Sequence, residues 1–171
     1  MLRKEDGEMT ANTTEMDTLL RKAWDPIFRM YPEGTPEPEW EPFKQRFGKY
    51  WEKNAMELDP LTGEDLRATL ARMRYKQAGG MDGWRVAELK ALPPPLIDAL
   101  AQVLGLVERT GQWPRALLRS LITLIPKGAG TGPLELRPIS VMSVLYRLWA
   151  ATRMRTVMRW QERWIAECQR G

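Results

Sequence analysis

Residues 121–149 read LITLIPKGAGTGPLELRPISVMSVLYRLW. An apolar run rich in Leu and Ile, Ser120–Ile125, has the composition of a buried strand. Pro126 to Pro133 contains three glycines and forms a turn. Leu134–Ile139 is long enough to return as a second strand. Ser140 or Ser143 is then placed to cap a long helix running through about Ala166. One short strand pair set among helical patterns predicts a mainly α fold with a small antiparallel β element. Lys127 and Arg137 flank the turn. Two cations where a backbone doubles back can clasp a polyanion between them, or remain solvated cations on a mobile loop.

Upstream, the helical patterns are regular. Thr62 with Asp65 fits an N-terminal capping box, and Leu66, Leu70 and Met73 give a stripe through Arg74. Ala78-Gly79-Gly80-Met81-Asp82-Gly83 is a turn-forming cluster in which Asp82 is expected to satisfy nearby N–H groups. A short helix over Trp84–Leu92 points Val86 and Leu89 inward, and Pro93-Pro94-Pro95 ends it. The next helix carries Leu96, Leu100, Val103, Leu104 and Val107 on one predicted stripe, and Gly111 terminates it. Gln112-Trp113-Pro114 leads into a helical turn at Arg115–Arg119.

The first 60 residues differ in character and are expected to form an acidic, Pro-rich extension with short helices, ahead of a domain over 61–171. Residues 1–17 are polar and acidic, which predicts little order. Leu19, Leu20, Ala23 and Trp24 suggest a short helix ending before Pro26. Tyr31–Pro42, YPEGTPEPEWEP, holds four prolines and reads as an extended linker. Trp40, Phe43, Phe47, Tyr50 and Trp51 follow at helical spacing, as a packing face or an aromatic ligand platform.

Composition removes several chemistries. The chain has no histidine, which excludes Ser/His/Asp and Cys/His machinery and His-ligated metals. Cys168 is the single cysteine, so no disulfide framework or zinc cluster is possible. MLRKEDGEMT is charged and lacks the apolar core of a secretory signal. Asp98 and Arg147 interrupt the longest apolar runs too early for a membrane span. The expected setting is intracellular, nuclear or cytoplasmic, with no membrane partner. Charge is uneven: residues 1–60 hold nine Lys/Arg against thirteen Asp/Glu, and residues 99–171 hold eleven against four. A basic half can attract nucleic acid through phosphate neutralisation, or be a solvated helix surface. Arg155, Arg159 and Arg163, spaced by four, line one helix face. Trp149, Trp160 and Trp164 occupy a broad opposite face suited to a core or an interface.

Three segments together resemble the fingers region of a reverse transcriptase, most closely the non-LTR retrotransposon type. KQAGGMDGWRVAELKALPP is similar to that family's K-A-P-G-x-D-G turn and helix. ERTGQWPRALLRSLITLIPK is similar to its T-G-x-x-P, W-K, A-x-I-x-x-I-P-K run. LRPISVMSVLYRLWA is similar to R-P-I-S-L and the long helix behind it. The resemblance covers residues 61 to about 160, with departures at Gly80, Trp84 and Leu136, where proline, an aliphatic residue and an aromatic are usual. After Trp149 the family's small-residue helix becomes Arg- and Trp-rich here.

The resemblance implies a partial polymerase fingers subdomain in which the strand–loop–strand folds over an incoming nucleotide. Lys127 then corresponds to the IPK lysine and Arg137 to the RPI arginine, both near the triphosphate. Arg155, Arg159 and Arg163 would lie near the template–primer path. The complete enzyme would extend a DNA primer on an RNA template from deoxynucleoside triphosphates, with Mg2+ held by palm aspartates C-terminal to the RPIS segment. No aspartate follows Asp98 and no Asp-Asp pair occurs. The palm is therefore expected to be missing, with no catalytic and no metal-ligating residue among these 171. A non-catalytic basic helical RNA- or DNA-binding module and an inert remnant of a mobile element are the other readings.

Overall fold

A computed structural model describes residues 1–51 and 54–165. Their architecture is mainly helical with two small antiparallel two-stranded sheets. The chain divides into two compact units, each interrupted in sequence. One comprises Met1–Lys53 with Thr123–Ile139, the other Asn54–Ile122 with Ser140–Gly171.

The second unit contains the main core. Helix α3 spans Gly63–Arg72 and starts at the capping box read from sequence: Thr62 Oγ1 accepts from Asp65 N, and Thr62 N donates to Asp65 Oδ2 at 3.1 Å. Such a cap contributes about 1 kcal/mol by satisfying N–H groups that the first turn leaves free. Helix α4, Val86–Ala91, buries Val86 and Leu89. Helix α5, Pro94–Thr110, opens on Pro94 and ends on Gly111 at φ 68°. Helix α6 is the turn Arg115–Leu118, and helix α7 runs Val144–Gln161. Leu66, Leu70, Val86, Leu89, Ile97, Leu104, Val144 and Leu148 interlock in one cluster. Beside it, buried Thr152 donates to Thr69 Oγ1 at 3.0 Å, a polar tie between α7 and α3.

The stripe expected on α5 is corrected. Ile97, Ala101, Leu104 and Val107 face the core, whereas Leu96 and Val103 are exposed. The helix carries apolar residues on most of its circumference, so two adjacent stripes satisfy the same period. Packing against α3 selects one of them.

The first unit begins with strands β1, Leu2–Arg3, and β2, Met9–Thr10, paired antiparallel with Leu2 opposite Thr10. Little order was expected over residues 1–17, yet Leu2 is buried and Asn12 caps helix α1, Thr13–Phe28. The apolar anchor is a single residue, too sparse to register as a pattern. Helix α1 also continues through Pro26. Only Ile27 and Phe28 remain after that proline, so the lost hydrogen bond lies near an end that frays in any case. The extended segment ends at Glu39 because helix α2, Trp40–Phe47, takes Pro42 into its first turn, where a missing N–H is harmless. Trp40, Phe43, Phe47 and Trp51 stack on one another with centroids 4.8–6.0 Å apart, and all remain partly exposed.

Strands β3, Leu121–Pro126, and β4, Leu136–Val141, form the second sheet, one or two residues displaced from the expected bounds. The predicted burial of the first strand is not found: Leu121, Ile122 and Ile125 are exposed. A two-stranded ribbon has two faces and cannot cover both itself. Helix α7 stops at Gln161 and the chain turns over 162–164, short of the expected end near Ala166; Ala166 itself and Cys168 lie outside the described residues. Among the described residues no helix is long and apolar enough to cross a membrane.

Candidate nucleic-acid interface

The glycine-rich turn belongs to the first unit and is more closely held than its composition suggests. A 3-10 turn at Pro133–Glu135 closes it. Lys127 N donates to Glu135 O at 2.8 Å, and the Glu135 carboxylate accepts from Gly132 N at 2.7 Å. Backbone N–H groups, Gly132 foremost and then Thr131, hold the Glu135 carboxyl below the usual carboxylate range. Two N-terminal groups reach the same loop: Arg3 N donates to Thr131 O at 2.9 Å, and Trp24 Nε1 donates to Pro133 O at 3.1 Å. Sequence reading missed Arg3 and Trp24, since no local pattern links positions more than a hundred residues apart, and it missed Glu135 although its partner Gly132 is only three residues away.

Lys127 and Arg137 are both exposed on either side of this loop. The Lys127 ammonium donates to Leu134 O at 3.3 Å, a long bond to a neutral acceptor. Among the described residues neither cation is ion-paired to a carboxylate. Their charge is therefore free to meet an anion, as Lys point charges and Arg forks do with phosphate oxygens.

The second group straddles the end of α7: Arg155 and Arg159 are on the helix, whereas Arg163 sits in the turn after Gln161, so the expected single helix face of three arginines stops at Arg159. Arg155, Arg159 and Arg163 are all exposed, and among the described residues none forms an ion pair with a carboxylate. Arg159 and Arg163 line a polar cleft of about 510 Å³ together with Thr156, Trp160 and residues of the 55–59 segment; Arg155 does not line it. Arg153, on the same helix, has a different role. Its guanidinium grips Glu108 through two bonds of 2.5 Å, with side chains 13% and 21% exposed. The tryptophans also separate. Trp149 joins the core margin beside Trp113 and Tyr146, while Trp160 and Trp164 meet edge to face at 4.8 Å.

Asp82 corrects the expectation of a local turn-capping role. Its Oδ2 accepts from Ser143 Oγ at 2.6 Å, and the fully buried Ser143 caps α7 by accepting from Leu145 N and Tyr146 N. The N-terminal end of the α7 dipole favours a carboxylate there. Gly80 makes the approach possible: a Cβ on it would lie 2.6 Å from Ser143 Cα and 2.8 Å from Ser143 N. Arg147 adds a bond from Nη2 to Ala78 O. The Gly80-to-Asp82 turn is thus locked onto the start of α7. Gly80→Ala is expected to force these backbones apart and cost about 1–3 kcal/mol. Urea unfolding of the second unit, followed by tryptophan fluorescence, checks this, and an unchanged midpoint would show that the turn can give way.

No protein-family model matches this chain, and a comparison with the curated proteins returns no match.

Proposed function

We propose that this chain supplies the N-terminal fingers portion of a non-LTR-type RNA-directed DNA polymerase. The observation that carries this reading is the ordered series of three segments: AGGMDG with its helix, the TGQWP-to-IPK run, and LRPIS with its long helix. Two structural features support it. The first segment's turn meets the helix behind the third, through Asp82 and Ser143. The strand–loop–strand presents Lys127 and Arg137 exposed and, among the described residues, without carboxylate partners, as suits contacts to a triphosphate.

In this reading the residues bind and orient; they do not carry out the chemical step. Phosphoryl transfer depends mainly on positioning and charge stabilisation, which a Lys and an Arg on a nucleotide-covering loop can provide. The magnesium ions implied by the resemblance do not fit here: among the described residues no three Asp, Glu, His or Cys side chains converge. Carboxylates for two-metal chemistry would have to come from a palm domain.

The test is primer extension on an RNA template with magnesium. The 171-residue chain alone is expected to show none, and its fusion to a palm of the same polymerase type is expected to restore it. Template-dependent synthesis by the chain alone would overturn the reading. Arg155, Arg159 and Arg163, exposed and without an ion pair among the described residues, favour a second role compatible with the first, contact with nucleic-acid phosphate.

A further inference from the structure

Residues 54–60 have no regular structure and run beside α7. Two hydrogen bonds fasten this segment to the helix: Trp160 Nε1 donates to Ala55 O at 3.0 Å, and Arg153 Nη1 donates to Asp59 O at 3.0 Å. Both acceptors belong to exposed residues. The segment is poorly packed on both sides. The cleft against α7 holds about 510 Å³, and a second cleft, where residues 58–61 face α5, holds about 580 Å³. Leu58 stays exposed, and firm anchoring begins only at buried Leu61 and the Thr62 cap. Segments with few buried contacts open at low free-energy cost.

The charges give this loose segment a direction. Glu57 and Asp59 are exposed and line the α7 cleft with Arg159 and Arg163, yet no ion pair joins them. Two acidic residues and two arginines thus line one cleft with no ion pair within 4.0 Å between them. A nucleic-acid phosphate entering the cleft would meet both the arginines' attraction and the carboxylates' repulsion.

We propose that residues 54–60 are an acidic strap that competes with single-stranded nucleic-acid phosphate for Arg159 and Arg163, and lifts when the phosphate binds. The inference rests on the phosphate-contact reading of α7 and adds its regulation. Lifting breaks the Trp160 and Arg153 bonds to the strap backbone and leaves the Arg153–Glu108 grip intact. Leu61 and the Thr62 cap form the fixed end about which the strap would swing. The strap sets a threshold: a polyanion dense enough to displace two carboxylates binds, whereas sparse anions do not.

Fluorescence anisotropy with a short labelled single-stranded RNA tests this on the full chain at low salt. Glu57→Gln with Asp59→Asn removes the strap's charge while keeping its backbone bonds, and is expected to tighten binding about tenfold. Glu33→Gln with Glu37→Gln makes the same change in net charge elsewhere and is expected to give less than about a twofold gain. Adding Arg159→Ala and Arg163→Ala to the strap variant should abolish its gain. Equal affinity of the parent and the strap variant, with binding weakened by the arginine changes, would overturn the strap and leave the phosphate reading standing. An equal gain from the Glu33/Glu37 control would also overturn it, by assigning the effect to net charge. No RNA binding even by the strap variant would overturn both.

Discussion

Glu108→Ala is expected to destabilise the helical unit by about 2–4 kcal/mol. The carboxylate accepts from Arg153 Nε and Nη2 and from Trp149 Nε1, all in a half-buried setting between α5 and α7. Truncation leaves a largely buried guanidinium without its counter-ion and an indole N–H without an acceptor. Replacing both Glu108 and Arg153 with leucine should cost much less, because no orphaned charge remains. The Arg153 hydrogen bonds hold the Glu108 carboxyl below its ordinary range, with burial opposing and Trp149 assisting. The folded state therefore binds this proton less readily than the unfolded chain, whose value is near 4.3. The resulting stability is complete above that value and is lost as pH falls through the lower folded one. Denaturant unfolding at about pH 6 and about pH 3 reads this, and Glu108→Ala should flatten the difference. A loss under about 0.5 kcal/mol on truncation would assign the pair to the solvent-screened class.

Arg137→Ala, in a chain joined to a palm, is expected to reduce nucleotide incorporation by about 10- to 150-fold, the worth of roughly 1.5–3 kcal/mol in a charged hydrogen bond. Template binding should change far less, because Arg137 belongs to the strand that follows the loop and not to the α7 row. Arg137→Lys keeps the charge but loses the planar fork, and should recover part of the loss. Single-turnover incorporation at varied nucleotide concentration separates the cases. An unchanged rate and an unchanged apparent affinity would remove Arg137 from the nucleotide site.

The parts of the fold legible in the sequence are those fixed by near neighbours. The Thr62–Asp65 cap, the Gly111 terminus, the inward Val86 and Leu89 and the Ser143 cap each follow from residues within four positions of one another. The failures share a different cause. The α5 face depended on a partner helix, and the exposure of β3 depended on a covering layer. Asp82 found its partner 61 residues away, beyond any local pattern. The candidate cations Lys127, Arg137, Arg155, Arg159 and Arg163 were visible by residue type and position. What surrounds them was not: the tether from Arg3 and Trp24, and the acidic segment beside Arg159 and Arg163, come from distant stretches of chain.

The bonds from Arg3 and Trp24 to the glycine-rich loop have a consequence for synthesis on the ribosome. The partners are separated by more than a hundred residues, so the first unit cannot close until the loop has emerged. By then α3, α4 and α5 are already available to pack locally, since their contacts span short loops that cost little entropy to close. Residues 1–28, made before the loop, are therefore completed late. Until then Leu2 and the indole of Trp24 lack their folded surroundings, and residues 1–28 are the part of the first unit most in need of protection.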